Sequence, residues 1–110
     1  MRGLNISENI KKVMIALIEK NKPNITNYCK KGYIQLEYLF QEIAEYPGKI
    51  VFPPEKAFLD YESLAIDANS TVVWFNLWFD DKKSDLILEL LLTRDETKKV
   101  KITIQGLRVM

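Results

Sequence analysis

The chain has 110 residues, 47% apolar and 28% charged, with a net charge of +1, one cysteine and no histidine. That length supports one core and excludes two, so residues 1–110 read as a single domain. The near-neutral balance excludes the broad basic field of a direct nucleic-acid binder, and a lone Cys29 excludes an intramolecular disulfide, which fits a reducing cytoplasm.

Ser7 is predicted to cap a first helix, in which Ile10, Val13, Met14, Leu17 and Ile18 form one apolar stripe. That helix ends near Asn21, ahead of Pro23. The apolar run within it, VMIALI, is too short for a signal-peptide core or a membrane span, so no membrane association is expected. PNITNYCKKG reads as a short second helix with Pro23 in its first turn and Gly32 beyond its end. A third helix is expected over about Ile34 to Tyr46. It turns Leu36, Leu39, Phe40 and Ile43 to the core and Glu37, Gln41, Glu42 and Glu45 to water. Pro47-Gly48 stops it. The segment KIVFPPEKAF then runs extended across Pro53-Pro54, with one helical turn at Glu55–Leu59.

From about Ser63 the apolar period changes to two. Leu64 and Ile66 mark a first strand, Asn69-Ser70 a turn, and Thr71–Phe79 a second strand. DDKK leads into a third strand over Ser84–Thr93, and RDETK into a last strand from Lys99 to Val109. The odd step at Gln105-Gly106 predicts a bulge. Helices over about residues 7–46 followed by an antiparallel meander over about 63–109 make an α+β domain. Its helices are expected on one face of a curved sheet of three to four strands.

Charge is uneven along the chain. Residues 1–36 carry +5, residues 37–67 carry −5, and the remainder carries +1. Thirteen lysines against three arginines, with many Ile and Asn, are associated with AT-rich bacterial genes. Catalytic chemistry has little to stand on. Without histidine the commonest general base and metal ligand are missing, and one cysteine cannot form a Cys–His pair. The four glycines build no phosphate-cradling loop. Asp80, Asp81 and Asp85 in DDKKSD lack the ligand ladder of a calcium loop, and the lysines among them oppose a cation. Glu42 and Glu45, three apart, suit an exposed helix face. No enzyme activity, cofactor or metal is expected.

The second strand is the unusual one, because it is apolar on both faces, whereas a strand with one wet face alternates. Phe75 and Leu77, with Leu86, Leu88, Leu90, Ile102 and Ile104, form the expected core side. On the other side Trp74 and Trp78 are grouped with Asp85, Ile87, Glu89 and Leu91. Aromatics mixed with charges of both signs fit the centre and rim of a protein interface; the alternative is that this side is covered within the fold.

NLW at 76–78, SDLILEL at 84–90 and FPP at 52–54 carry a resemblance. Over roughly residues 10–109 the chain resembles an uncharacterised family of small bacterial domains. Members of that family carry a D-L-W strand, a polar turn, S-D-L-T-L-E-L and a final strand ending I-x-x-I-x-V. The chain departs from that pattern at Asn76, where the family has an acid, and at Ile87, where it has threonine. The organisation also resembles, more loosely, nuclear-transport-factor-2-like and cystatin-like folds. Domains of this build resemble the immunity proteins of contact-dependent growth inhibition. That resemblance implies non-covalent neutralisation of a cognate toxin domain, commonly a nuclease. Candidate contact residues are Glu37, Glu42, Glu45, Asp60, Glu62, Trp74, Trp78 and Asp85, the acids suiting a basic partner. Two alternatives stand: a nuclear-transport-factor-like ligand-binding domain or lyase/isomerase, with Asp85 or Tyr38 as the polar group in its pocket, and a homodimeric structural module.

Overall fold

In the computed structural model, which describes residues 5–29 and 35–109, helices precede an antiparallel sheet. The helices are α1 (Ile6–Ile18), α2 (Lys22–Tyr28) and α3 (Leu36–Glu45), followed by a 3₁₀ turn at Glu55–Leu59. Four strands then form a meander in the order β1 (Glu62–Asp67), β2 (Ser70–Phe79), β3 (Lys82–Arg94) and β4 (Val100–Val109), each antiparallel to its neighbours. The chain is an α+β domain with its helices N-terminal to the sheet.

The cap of α1 differs from expectation. Asn5, not Ser7, is the capping residue, and its side chain accepts the Glu8 N–H at 3.1 Å. Asn serves there as well as Ser. Ser7 lies inside the helix and its hydroxyl donates to the Phe58 carbonyl at 2.8 Å, tying α1 to the 3₁₀ turn. The second helix ends at Tyr28, and the predicted positions Gly32 and Ile34 lie outside the described residues.

One face of the sheet takes the helices. Phe75, Leu77, Leu88, Leu90 and Ile104 from the strands meet Ile10, Val13, Met14, Ile25 and Leu39 from the helices, all at most 1% exposed. Phe58 of the 3₁₀ turn lies parallel to Phe75, with ring centroids 5.6 Å apart, so this turn is part of the core. Of the helix-3 positions expected to face water, Glu37, Gln41 and Glu45 are exposed and Glu42 is half-buried.

The sheet is shaped by three irregularities. β4 carries an extra residue at Gln105, between the pairs Glu89–Gly106 and Leu90–Ile104, where the odd step in the sequence falls. Register also shifts between Asn76 and Trp78 on β2 and between Ala65 and Asp67 on β1. The β2–β3 connection is tighter than DDKK suggests. Only Asp80 and Asp81 lie between the paired Phe79 and Lys82, both with positive φ (50° and 62°), as a two-residue turn of the twist-matching type requires.

Candidate functional site

Strand register, more than any single residue, assembles the face opposite the helices. Paired residues of neighbouring strands share a face. One row across the sheet is therefore Glu62, Trp74, Glu89 and Gly106; the next is Leu64, Val72, Leu91 and Thr103; and Asn76, Ile87 and Arg108 form a third. None of Val72, Trp74, Ile87 and Leu91 belongs to the hydrophobic core cluster. They form a second apolar surface, on the outer side of the sheet.

Trp74 is fixed there by polar contacts. Its indole N–H donates to Glu89 Oε1 at 2.7 Å, and Arg108 donates to the same oxygen at 2.6 Å. A carboxylate shared by a neutral and a charged donor holds both more tightly than neutral bonds would. Gly106, across from Glu89, leaves open space above the strand, since a Cβ there meets no atom within 4 Å. Below this row a shallow cavity of about 330 Å³ is lined by Trp74, Asn76, Ile87 and Arg108 of the sheet and by Asp60, Tyr61, Glu62 and Lys83 at its edge. Lys83 pairs with Asp60 at 2.8 Å, and the Asn76 amide donates to the Ser84 carbonyl at 2.9 Å. The result is an aromatic floor with acids and bases around it.

Of the residues singled out from sequence, Asp60, Glu62 and Trp74 come together at this cavity. Trp78 does not line it. It is half-buried against the core cluster, and its carbonyl accepts the Val51 N–H at 3.0 Å where the segment before Pro53 pairs with the end of β2. Asp85 is exposed and accepts from the Tyr46 hydroxyl, a bond that raises the tyrosine's pKa; Tyr46 in turn packs on Phe79 with centroids 4.4 Å apart. Glu37, Glu42 and Glu45 belong to α3, on the helical side of the sheet. Glu45 accepts from Gln41 at 3.0 Å, and the charge of Glu42 raises the pKa of the exposed Tyr38 beside it. Neither Tyr38 nor Asp85 lines the cavity.

A family model described as Domain of unknown function (DUF7668) matches residues 14–110. The chain belongs to that family. Its DUF7668 match takes in all four strands, α2, α3 and α1 from Met14, and so includes both faces of the sheet. No curated protein and no solved structure matches the chain.

The residues that sequence reasoning left out of the site are Tyr61, Lys83 and Arg108, with Asn76, Ile87 and Glu89 noted only as neighbours. Their signal lies in register. Once the extra residue at Gln105 is placed, Arg108 falls opposite Ile87 and within reach of Glu89. Among the described residues no three His, Cys, Asp or Glu side chains gather to hold a metal, and no helix is long and apolar enough to cross a membrane.

Proposed function

We propose that the protein is a binding module that neutralises a partner protein through the outer face of its sheet, acting as an immunity protein against a bacterial toxin domain. The observation that carries this reading is the second apolar surface. Trp74 is held by Glu89 at the floor of a cavity, outside the core cluster, with Asp60, Glu62, Lys83 and Arg108 around it. Aromatic anchors surrounded by charges are the usual arrangement of interface hot spots. The edge acids suit a cationic partner such as a nuclease, and the single half-buried Cys29 suits a reducing cytoplasm. No step of this function needs a group transfer, a cofactor or a metal. The test is to mix the protein with the toxin-like domain encoded beside its gene. Stoichiometric loss of toxin activity, with a complex stable on gel filtration, is expected; failure to form a complex sinks the assignment.

A homodimeric reading is favoured by one specific feature. All six residues of edge strand β1 are exposed, including Leu64 at 60% and Ile66 at 58%. Exposed edges invite pairing. Sedimentation equilibrium of the protein alone decides this: the immunity reading expects a monomer whose mass does not change with concentration.

A further inference from the structure

A second cleft, of about 820 Å³, opens on the helical side of the molecule between α1, α3 and residues 48–50. Its walls are aliphatic and aromatic: Leu17 and Ile43 are buried, Phe40 and Ile50 half-buried. Its polar lining is lopsided. Among the described residues, Lys20, Lys22 and Lys49 stand against one acid, Glu37. None of the three lysines forms an ion pair within 4.0 Å among the described residues.

The turn that ends α1 fixes the backbone of Lys20 at the cleft. After α1 the Lys20 N–H bonds the Leu17 carbonyl at 3.3 Å and the Asn21 N–H bonds the Ala16 carbonyl at 2.9 Å, with Lys20 left-handed at φ 53°. Glycine takes that conformation at least cost. A lysine there runs against the local backbone preference, and it lines the cleft together with the apolar residues.

We propose that this cleft binds a single-chain amphipathic anion, the simplest being a medium-chain carboxylate. Its alkyl tail lies along Leu17, Phe40, Ile43 and Ile50, and its head group lies among Lys20, Lys22 and Lys49. The volume falls within the range of small-molecule sites, about 300–1,000 Å³. The apolar walls offer nothing to orient a rigid polar ligand, and three ammonium groups against one carboxylate select an anion over a cation.

The test is calorimetry and amide NMR on the full chain with hexanoate, octanoate and decanoate below their micelle concentrations, with 1-decanol and decylammonium alongside. Affinity should rise by up to about fourfold per added methylene until the cleft is filled. Decanoate should bind tighter than decanol and much tighter than decylammonium, with amide shifts at Leu17, Ala44 and Ile50. Lys20→Gly separates binding from folding: its melting temperature should be equal or higher, while decanoate weakens by about two- to fivefold at low salt. Lys22→Glu with Lys49→Glu should cost decanoate about tenfold or more and leave decanol unchanged. Absence of saturable binding at every chain length overturns the proposal, as does decylammonium binding as well as decanoate, or shifts confined to Trp74 and Ile87. Ala44→Trp fills the cleft from α3 and should abolish decanoate binding. If it changes the oligomeric mass instead, a second copy of the chain is the occupant and the proposal falls.

Discussion

Asp95 closes the β3–β4 hairpin with one carboxylate oxygen. That oxygen accepts the Thr97 hydroxyl at 2.6 Å, the Thr97 N–H at 2.9 Å and the Lys99 N–H at 3.0 Å. These donors, the Thr97 hydroxyl foremost, hold its pKa below the ordinary carboxylate value. A depressed folded-state pKa contributes stability that is present above the unfolded value, about 3.9, and is lost as pH falls through the lower folded value. Asp95→Asn should therefore unfold at lower urea than wild type at pH 7, with the gap closing as pH drops below about 4. A gap of equal size at both ends of that range would mean the charge is irrelevant. The turn at Asp80-Asp81 makes a contrasting pair. Asp81 has φ 62° and no side-chain hydrogen bond to a described residue, so Asp81→Gly should stabilise by about 0.5–1 kcal/mol in a denaturant titration. Asp80 accepts the Lys49 N–H at 3.0 Å, and a Cβ on Gly48, at φ +100°, would meet Asp80 Oδ2 at 2.6 Å. Gly48→Ala should therefore destabilise through both strain and overlap, and a neutral result would show that the turn relaxes freely.

At the scale of elements, β3 gives the clearest contrast between faces. Leu88 is fully buried opposite Phe75, so Leu88→Ala should cost about 2–5 kcal/mol in a urea titration. Lys83→Ala removes only an ion pair whose partners are 46% and 66% exposed, and should fall within about 0.5 kcal/mol. Equal losses would mean the two faces had been exchanged by a one-residue slip. Periodicity made these elements legible in sequence because burial imposes it: the stripe on α1 and the alternation along β2 and β3 each reflect a face turned to the same core. Even the bulge at Gln105 was legible, because an extra residue breaks a period of two. What stayed hidden depended on contacts between distant segments. Nothing local distinguishes Asn5 from Ser7 as a cap, since both residue types serve; Ser7 is taken up by Phe58, fifty-one residues away. Trp78 alternates with Trp74, yet the segment before Pro53 pairs beside it and draws it toward the core. Alternation predicts a face, and the local shift in register between Asn76 and Trp78 changes what that face meets.

Seen as a whole, the molecule divides its acids between the two sides of one sheet. Glu42 and Glu45 on α3 lie on the helical side, whereas Glu62 shares a row with Trp74 on the outer side. Charge counts along the chain merge these sets into one acidic segment, and only the fold separates them. The separation sharpens the partner prediction. If the outer face takes a cationic toxin domain, Glu62 is a rim charge and should act mainly on encounter, an effect that salt screens. Glu62→Lys should slow association and flatten its dependence on salt, while Glu42→Lys with Glu45→Lys, on the far side, should change it far less. Trp74 sits at the cavity floor, so Trp74→Ala should leave association nearly unchanged, speed dissociation and weaken binding by about 2 kcal/mol or more. Trp78→Ala, by contrast, should lower thermal stability before it affects binding, because that ring packs on the core. Surface binding kinetics at two salt concentrations, with melting temperatures for each variant, read all four. Should the α3 reversals dominate the salt dependence while Trp74→Ala binds as wild type, the contact surface lies on the helical side and the outer face serves something else.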